Sequence, residues 1–231
     1  MSGAPWQLDR HTAFKNRSVI TYRLPERVAT FEGYVNDLEE RTKGFERFAL
    51  IGDSFGAVIA LGLAARRPSR LAALVMSGGF ASQPLSSLSM RFRATAAGLV
   101  PRPLYKNLAL RVHADALHSR HDVDGEIPWS RKDSRNLFLE NTPFESYKGR
   151  LAATRTVDYR RDLPKVEVPT LILTPQHDTL VGSAATTTLL SGIPDAREVV
   201  LPNTGHMLRF THPEAYAAAI EAFLGGVLDA A

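Results

Sequence analysis

Three polar residues, Ser54, Asp178 and His206, have the types and the chain order that nucleophilic catalysis needs. A serine hydroxyl is a weak nucleophile, so it needs a histidine that accepts its proton. The histidine in turn needs an acid that orients its ring. We therefore take these three residues as candidates for one catalytic site and ask whether the elements around them can bring them together.

The segment around Ser54, residues 52–56, reads GDSFG and allows three interpretations. It is a sharp turn that lifts Ser54 out of a sheet, part of another class of serine hydrolase that carries Gly-Asp-Ser, or an ordinary loop. An apolar strand precedes it and a helix follows, and we expect side chains at positions 52 and 56 to collide with these neighbours. The helix start would also supply the Phe55 N–H to a developing oxyanion. This context favours the sharp turn.

The candidate acid and base each follow an apolar strand. Asp178 lies in PTLILTPQHDTLV and His206 in EVVLPNTGHMLRFTHPEAY. Asp178 alone could cap a helix or begin a turn, and His206 could be structural. Their placement after successive strands, with the acid first, favours catalytic roles. The other histidines are His113, His118, His121, His177 and His212. Their spacing is not that of a metal site, and we expect no metal and no cofactor.

Short apolar runs alternate with helical patterns along most of the chain, which predicts an α/β fold with a mostly parallel sheet and helices on both faces. The predicted strands are Ser18–Leu24, Arg47–Gly52, Leu71–Ser77, Pro169–Thr174 and Ala196–Pro202. The predicted helices are Phe31–Lys43, Phe55–Arg67, Ser183–Ser191 and Pro213–Leu224.

The alternation stops in residues 80–164, where the sequence predicts irregular helices at 87–100, 105–119, 130–143 and 144–157. So long a segment between two core strands is typical of an inserted helical cap. We therefore expect a core of residues 1–79 and 165–231 and a cap or lid of residues 80–164.

Charge and composition narrow the classes of partner. The net charge is +4, and residues 81–165 hold 15 of the 28 Lys and Arg residues but only 9 of the 24 Asp and Glu residues. This basic segment is either a solvated helical surface or a site that recruits an acidic substrate or partner. It has no nucleic-acid recognition motif, so we expect no nucleic-acid binding.

The absence of cysteine excludes a thiol nucleophile and thiolate-bound zinc. The sequence shows neither a bilayer-spanning apolar stretch nor a signal peptide, and we therefore expect a cytoplasmic protein.

Taken together, these motifs resemble the α/β-hydrolase superfamily. GDSFG resembles its nucleophile elbow, PTLILTPQHDTLV its acid loop, and LPNTGHMLRFTHPEAYAAAIEAFL its histidine loop and last helix. The likeness runs from about Arg17 to Leu224. It implies an inserted cap after the strand that follows the elbow.

GDSL-type esterases are the second class that carries Gly-Asp-Ser. Their acid and base share an Asp-x-x-His motif, whereas the residue three before His206 is Asn203. A nucleophile elbow is therefore the better match for the segment around Ser54.

The resemblance also implies something that this sequence lacks. The superfamily takes a second oxyanion N–H from a loop after its third strand, often just beyond a His-Gly pair. Here residues 2–25 resemble the segment that normally comes after that pair, so we expect a truncated start that lacks the first strands. Met1 or Ser2 would then be the replacement donor.

The sequence as a whole predicts a serine hydrolase. Ser54 would attack a carboxylic ester or thioester, His206 would transfer the proton, Asp178 would orient the ring, and the Phe55 N–H would bind the oxyanion. The expected partner is a small ester or acyl substrate, with an acidic substrate or an acyl carrier possible at the basic cap. The alternative is a non-catalytic or degenerate scaffold of the same fold, which the missing segment favours.

Overall fold

A four-stranded parallel sheet forms the centre of the protein. The computed structural model describes residue 14 and residues 17–84, 95–96 and 98–228. Its strands are β1 (Phe48–Asp53), β2 (Leu71–Ser77), β3 (Thr170–Pro175) and β4 (Ala196–Leu201), and their order in the sheet is β1-β2-β3-β4. All three pairings are parallel, which confirms the predicted fold class.

Helices link and cover these strands. They are α1 (Phe31–Thr42), α2 (Phe55–Ala64), α3 (Arg102–Tyr105), α4 (Arg111–Leu117), α5 (Arg131–Asn141), α6 (Phe144–Thr156), α7 (Ser183–Gly192), α8 (Leu208–Thr211) and α9 (Pro213–Leu228). A π-helical turn, Lys106–Leu110, joins α3 to α4. Short 3₁₀ turns lie at Arg120–Asp122 and Leu163–Lys165.

Alternation along the central strands decides which helices cover which face of the sheet. Leu74 and Met76 on β2 share a buried cluster with residues of α2 and α7. The intervening Ala73 and Val75 share a different cluster with residues of α9. Successive side chains of a strand point to opposite faces, so helices lie on both sides of the sheet.

The predicted strand Ser18–Leu24 is wrong. The structure places no strand at these residues, and Val19 and Ile20 remain 42% and 65% exposed. Instead, Tyr22 and Leu24 pack against a buried cluster that includes α1, and the Tyr22 hydroxyl donates to Asp37. The apolar side chains of this segment are therefore explained by their packing against α1. An apolar pattern alone does not make a strand, because a strand also needs a neighbour that hydrogen-bonds to its backbone.

The described part of the segment between β2 and β3 is largely helical, as its sequence predicts. The expectations for 105–119, 130–143 and 144–157 correspond to helical structure at 102–117, 131–141 and 144–156, whereas most of the predicted helix 87–100 lies outside the described residues. Ser130 begins α5 with a capping box, since it bonds reciprocally with Asp133. The division into a core and a separate cap stays a prediction.

Candidate active site

Ser54 occupies a sharp turn between β1 and α2. The strand ends at Asp53, the helix begins at Phe55, and Ser54 between them has φ 51° and ψ −115°. A side chain at positive φ is strained, so the surrounding structure must hold this conformation in place. The Ser54 N–H contributes by donating to the Ser77 carbonyl oxygen at 2.8 Å.

The two glycines of GDSFG have different surroundings. A Cβ atom at Gly52 would lie 2.6 Å from the Ala57 Cα and the Gly56 carbonyl oxygen, so the turn requires glycine there. At Gly56 the expected collision is absent, because a Cβ atom would meet no atom within 4 Å in the part of the chain that the structure describes. Only the first glycine is therefore explained by close approach.

The three candidate catalytic side chains form one hydrogen-bonded chain. Asp178 lies in the loop after β3 and His206 in the loop after β4. His206 Nε2 lies 2.9 Å from Ser54 Oγ, and His206 Nδ1 lies 2.8 Å from Asp178 Oδ2. The carboxyl ends of parallel strands meet at one edge of the sheet, which explains how residues far apart in sequence converge.

Asp178 is held as a carboxylate. Its Oδ1 accepts the N–H groups of Leu180 and Val181 at 2.9 and 3.1 Å, while its Oδ2 faces His206. Burial raises the pKa of Asp178, but the charge and hydrogen bond of His206 and the two backbone N–H groups outweigh burial, so the pKa is lowered. An ionised acid only accepts hydrogen bonds, so the His206 Nδ1–H donates to it and Nε2 is left to accept the Ser54 proton.

The Phe55 N–H lies in the first turn of α2, where backbone N–H groups have no intrahelical acceptor. The helix dipole adds partial positive charge at this end. The buried Phe55 ring packs against Phe31 and Tyr34, with centroids 4.5 and 5.2 Å away, and this packing fixes the helix start. The segment expected to carry the second oxyanion donor, including Met1 and Ser2, lies outside the described residues.

Gly78 is a site residue that the sequence reasoning missed. It follows β2 with φ 52°, and a Cβ atom there would lie 3.2 Å from His206 Cε1 and 3.4 Å from Asp178 Oδ2. A side chain at this position would press on the acid and the base together. The Gly-Gly pair directly after a buried strand was the available signal, because such a pair marks a tight turn or a close approach.

A second missed feature is an ion pair beside the nucleophile. Arg209 Nη1 donates to Asp53 Oδ2 at 2.8 Å, and the Tyr216 hydroxyl donates to Asp53 Oδ1 at 2.9 Å. Tyr216 is fully buried, and its burial raises its pKa. Asp53 precedes Ser54 and Arg209 closely follows His206, so this network ties the nucleophile turn to the histidine loop. No local pattern in the sequence predicts this pairing.

The turn Arg120–Asp122 and its flanks contact both the acid loop and the histidine loop. The His121 ring stacks on His177, next to Asp178, with centroids 4.0 Å apart and planes within 6°. A Cβ atom at Gly205, next to His206, would collide with Ser119 Oγ. The segment between β2 and β3 thus supports both loops, through residues that the sequence reasoning did not associate with the site.

The remaining histidines have structural surroundings. The ring of the partly buried His113 packs against Phe138 and Tyr147, and desolvation lowers its pKa to about 4. His118 Nδ1 lies 3.6 Å from the buried Asp122, whose pKa burial raises. Among the residues that the structure describes, no group of three or more His, Asp or Glu residues is arranged to hold a metal ion.

Within the same described ranges, none of the helices combines the length and the apolar character needed to cross a bilayer.

Comparison with known proteins places the chain in a family. The family model described as alpha/beta hydrolase fold matches residues 9–213. A curated relative, 2-hydroxy-6-oxononadienedioate/2-hydroxy-6-oxononatrienedioate hydrolase 2 from Pseudomonas putida, is 27% identical over 190 residues, covering 78% of this chain and 64% of the relative. A similar hydrolase from Cupriavidus pinatubonensis is 26% identical, covering 78% of this chain and 63% of that relative. The chain thus spans just under two thirds of the length of these curated relatives.

Solved structures share the same fold. A thermophilic esterase from Thermogutta terrifontis superposes with a TM-score of 0.81 at 23% identity, covering 97% of this chain and 85% of that protein. A hydrolase from Pseudomonas aeruginosa gives a TM-score of 0.80 at 21% identity, covering 97% and 86%. The family model spans most of the chain and agrees with the parallel sheet and its flanking helices. The chain therefore belongs to the α/β-hydrolase fold family.

Proposed function

We propose that the protein is a serine hydrolase that cleaves a carboxylic ester or thioester through an acyl-enzyme. The observation that carries this proposal is the continuous hydrogen-bonded chain from Ser54 through His206 to Asp178. It begins at a serine held in a strained turn at the start of a helix. A purely structural serine has no need of this combination.

The proposed reaction has two halves. Ser54 Oγ attacks the acyl carbonyl carbon while His206 Nε2 takes the hydroxyl proton, and the Phe55 N–H donates to the oxyanion. The tetrahedral intermediate then expels the alcohol or thiol, which receives the proton from His206. Water attacks the acyl-enzyme by the same route and releases the carboxylic acid and the Ser54 hydroxyl.

The names of similar proteins support hydrolysis in a broad sense. The Pseudomonas putida relative is named as a hydrolase of 2-hydroxy-6-oxononadienedioate, and the Thermogutta terrifontis protein is named as an esterase. The serine nucleophile supports acyl transfer, and a carboxylic ester or thioester is the acyl donor that we propose for it. A cytoplasmic location stays a prediction from the sequence.

The substrate is proposed to be a small acyl compound, and residues 80–164 are proposed to act as a cap over it. The excess of basic residues in this segment favours an anionic acyl group or an acidic acyl carrier. Arg135 contributes little to this attraction, because it donates to both carboxylate oxygens of Asp115 at 2.7 and 2.6 Å. Arg131, in the first turn of the same helix α5, is the better candidate for contact with an anion.

A fluorophosphonate probe tests the proposal directly, since it labels only an activated serine. We expect the wild-type chain to be labelled, Ser54→Ala to lose labelling, and His206→Ala to be labelled at least about a hundredfold more slowly. Ser82→Ala is a matched control that leaves all three candidate residues in place. A folded wild-type chain that is not labelled would favour the non-catalytic scaffold instead.

A further inference from the structure

A polar cleft lies between the segment that precedes α1 and the first turn of α6. Its lining includes Arg23, Glu26, Asn141, Ser146 and Arg150. None of these residues belongs to the Ser54–His206–Asp178 chain. The cleft is therefore a feature that the proposed hydrolase reaction does not explain.

The first turn of α6 offers backbone donors to this cleft. The helix has 13 residues and follows Pro143, and within the described residues no side chain caps its start. The first N–H to find a helical acceptor is that of Tyr147, which donates to the Pro143 carbonyl oxygen at 3.0 Å. The preceding N–H groups and the positive end of the helix dipole are therefore available to an anion.

Ser146 is an independent sign of a ligand. Ser146 is one of the residues that line the cleft and is fully buried, yet its Oγ has no hydrogen-bond partner among the residues that the structure describes. Buried hydroxyl groups are nearly always hydrogen-bonded, so an orphaned one beside a cleft calls for an explanation. A ligand oxygen in the cleft would accept the Ser146 hydroxyl proton.

Among the side chains that line the cleft, positive charges outnumber negative ones by two to one. Two guanidinium groups, Arg23 and Arg150, face one carboxylate, Glu26. Arg150 is only 2% exposed, and this burial lowers its pKa. It hydrogen-bonds to the Tyr34 hydroxyl, which in turn donates to the Val28 carbonyl oxygen at 2.9 Å. Arg150 is thereby held at the cleft by a fixed neighbour.

We propose that this cleft binds a phosphate group. Two guanidinium groups, one hydroxyl and the N–H groups of a helix start approach from several directions, which suits a tetrahedral oxyanion better than a planar carboxylate. Inorganic phosphate and the phosphate group of a small molecule share this chemistry. The site lies outside the catalytic residues, and it stands whether or not the protein hydrolyses esters.

Calorimetric titration with inorganic phosphate and with acetate, at equal ionic strength, tests the proposal. We expect one phosphate per chain at millimolar concentration or below, and binding of acetate to be at least about tenfold weaker. Arg23→Ala and Ser146→Ala should each weaken phosphate binding about fivefold or more, by loss of a charged or a neutral hydrogen bond. Arg155→Ala, which removes an exposed charge from the last turn of the same helix, is the matched control and should change binding less than about twofold.

Any of the following results of these titrations would overturn the proposal: no saturable phosphate binding, an unchanged affinity in either Arg23→Ala or Ser146→Ala, an equal loss in Arg155→Ala, or acetate binding as tightly as phosphate. Ser146→Ala is conservative, and its folding is checked by thermal unfolding in buffer without phosphate. We expect Ser146→Ala to be as stable as wild type there, because it removes an orphaned hydroxyl, and less stable than wild type when phosphate is added.

A Ser54→Ala variant separates this proposal from the proposed hydrolase function. It should bind phosphate as wild type does, with an affinity within about twofold, because a neutral substitution outside the cleft leaves its donors in place. A failure of fluorophosphonate labelling would leave the phosphate result unaffected. Loss of phosphate binding in Ser54→Ala would mean that the anion occupies the catalytic site, and it would overturn the proposal of a separate phosphate site.

Discussion

Arg209 binds Asp53 through a 2.8 Å hydrogen bond, so the residue directly before the candidate nucleophile is tied to the helix that follows the candidate base. Both partners are partly buried, with side-chain exposures of 19% and 20%. Such a pair is less screened by solvent than a surface ion pair. The distance between Ser54 and His206 therefore depends on an interaction outside the three candidate residues.

Removal of this interaction should lower turnover more than substrate binding. We expect Arg209→Met to reduce kcat about tenfold or more with little change in KM, because small displacements of a catalytic group are costly. Arg209→Lys, which keeps the charge, should restore part of kcat. Steady-state kinetics on a simple ester measure both effects.

Arg197→Met is the matched control for that experiment, since the Arg197 side chain is exposed and its one ion pair within the described residues is a 3.8 Å contact with Asp195. It should leave both kinetic constants unchanged. Equal kcat in wild type and Arg209→Met would contradict a positioning role for the Asp53–Arg209 pair.

Gly78→Ala should damage catalysis beyond its effect on stability. The substitution forces alanine into φ 52° and places its Cβ 3.2 Å from His206 Cε1. We expect a stability loss of about 1–2 kcal/mol from the positive φ. The push on the histidine should add a loss of kcat of about a hundredfold.

Gly182→Ala provides the comparison for Gly78→Ala, because Gly182 also has positive φ, 73°, but a Cβ there meets no atom within 4 Å among the residues described. Its stability loss should be at least as large, because φ 73° with ψ 163° is a conformation that is essentially restricted to glycine, whereas its kcat should be nearly normal. If urea unfolding and kinetics show the same changes in both variants, contact with His206 is not the cause.

The lowered pKa of Asp178 predicts how stability depends on pH. A carboxyl group with a lowered pKa in the folded state stabilises the fold above its unfolded pKa of about 4. The contribution is lost as pH falls from there through the folded pKa. Wild type should therefore exceed Asp178→Asn in unfolding free energy at pH 7, and the difference should shrink in the acid range. Urea unfolding at several pH values measures it, and a difference that does not vary with pH would contradict this assignment of the charge.

Charge reversal on α5 tests the anionic substrate. Arg131→Glu should raise KM about threefold or more for an anionic ester and leave KM for a neutral ester unchanged, because the effect is electrostatic. Arg135→Glu places two carboxylates together and should mainly lower stability, whereas the exchange Asp115→Arg with Arg135→Asp should restore it. Equal changes of KM for both esters in Arg131→Glu would contradict attraction of an anion.

The order of strands, helices and polar residues along the sequence was enough to predict the three candidate catalytic residues. Ser54 lies between an apolar strand and an apolar helix, and Asp178 and His206 follow later strands, so order along the chain was enough to group them. The hydrogen-bond geometry then follows from parallel strands, whose carboxyl ends share one edge.

The features that the sequence did not reveal depend on distant partners. The segment Ser18–Leu24 has a strand-like composition, but a strand also needs a neighbour that accepts its backbone hydrogen bonds. The Asp53–Arg209 pair joins residues separated by 156 positions. The predicted collision at Gly56 was wrong for a similar reason, because the free space around a turn depends on which distant residues pack against it.

The stacked rings of His121 and His177 have a consequence for substrate entry. A displacement of the turn Arg120–Asp122 would separate these rings and remove the packing on His177, which is next to Asp178. The same displacement would move Ser119 away from Gly205, which is next to His206. Admission of substrate by displacement of this turn would thus loosen the acid and the base together, and its return would reassemble them. The contacts that hold the acid loop and the histidine loop in place would therefore also resist movement of the turn Arg120–Asp122.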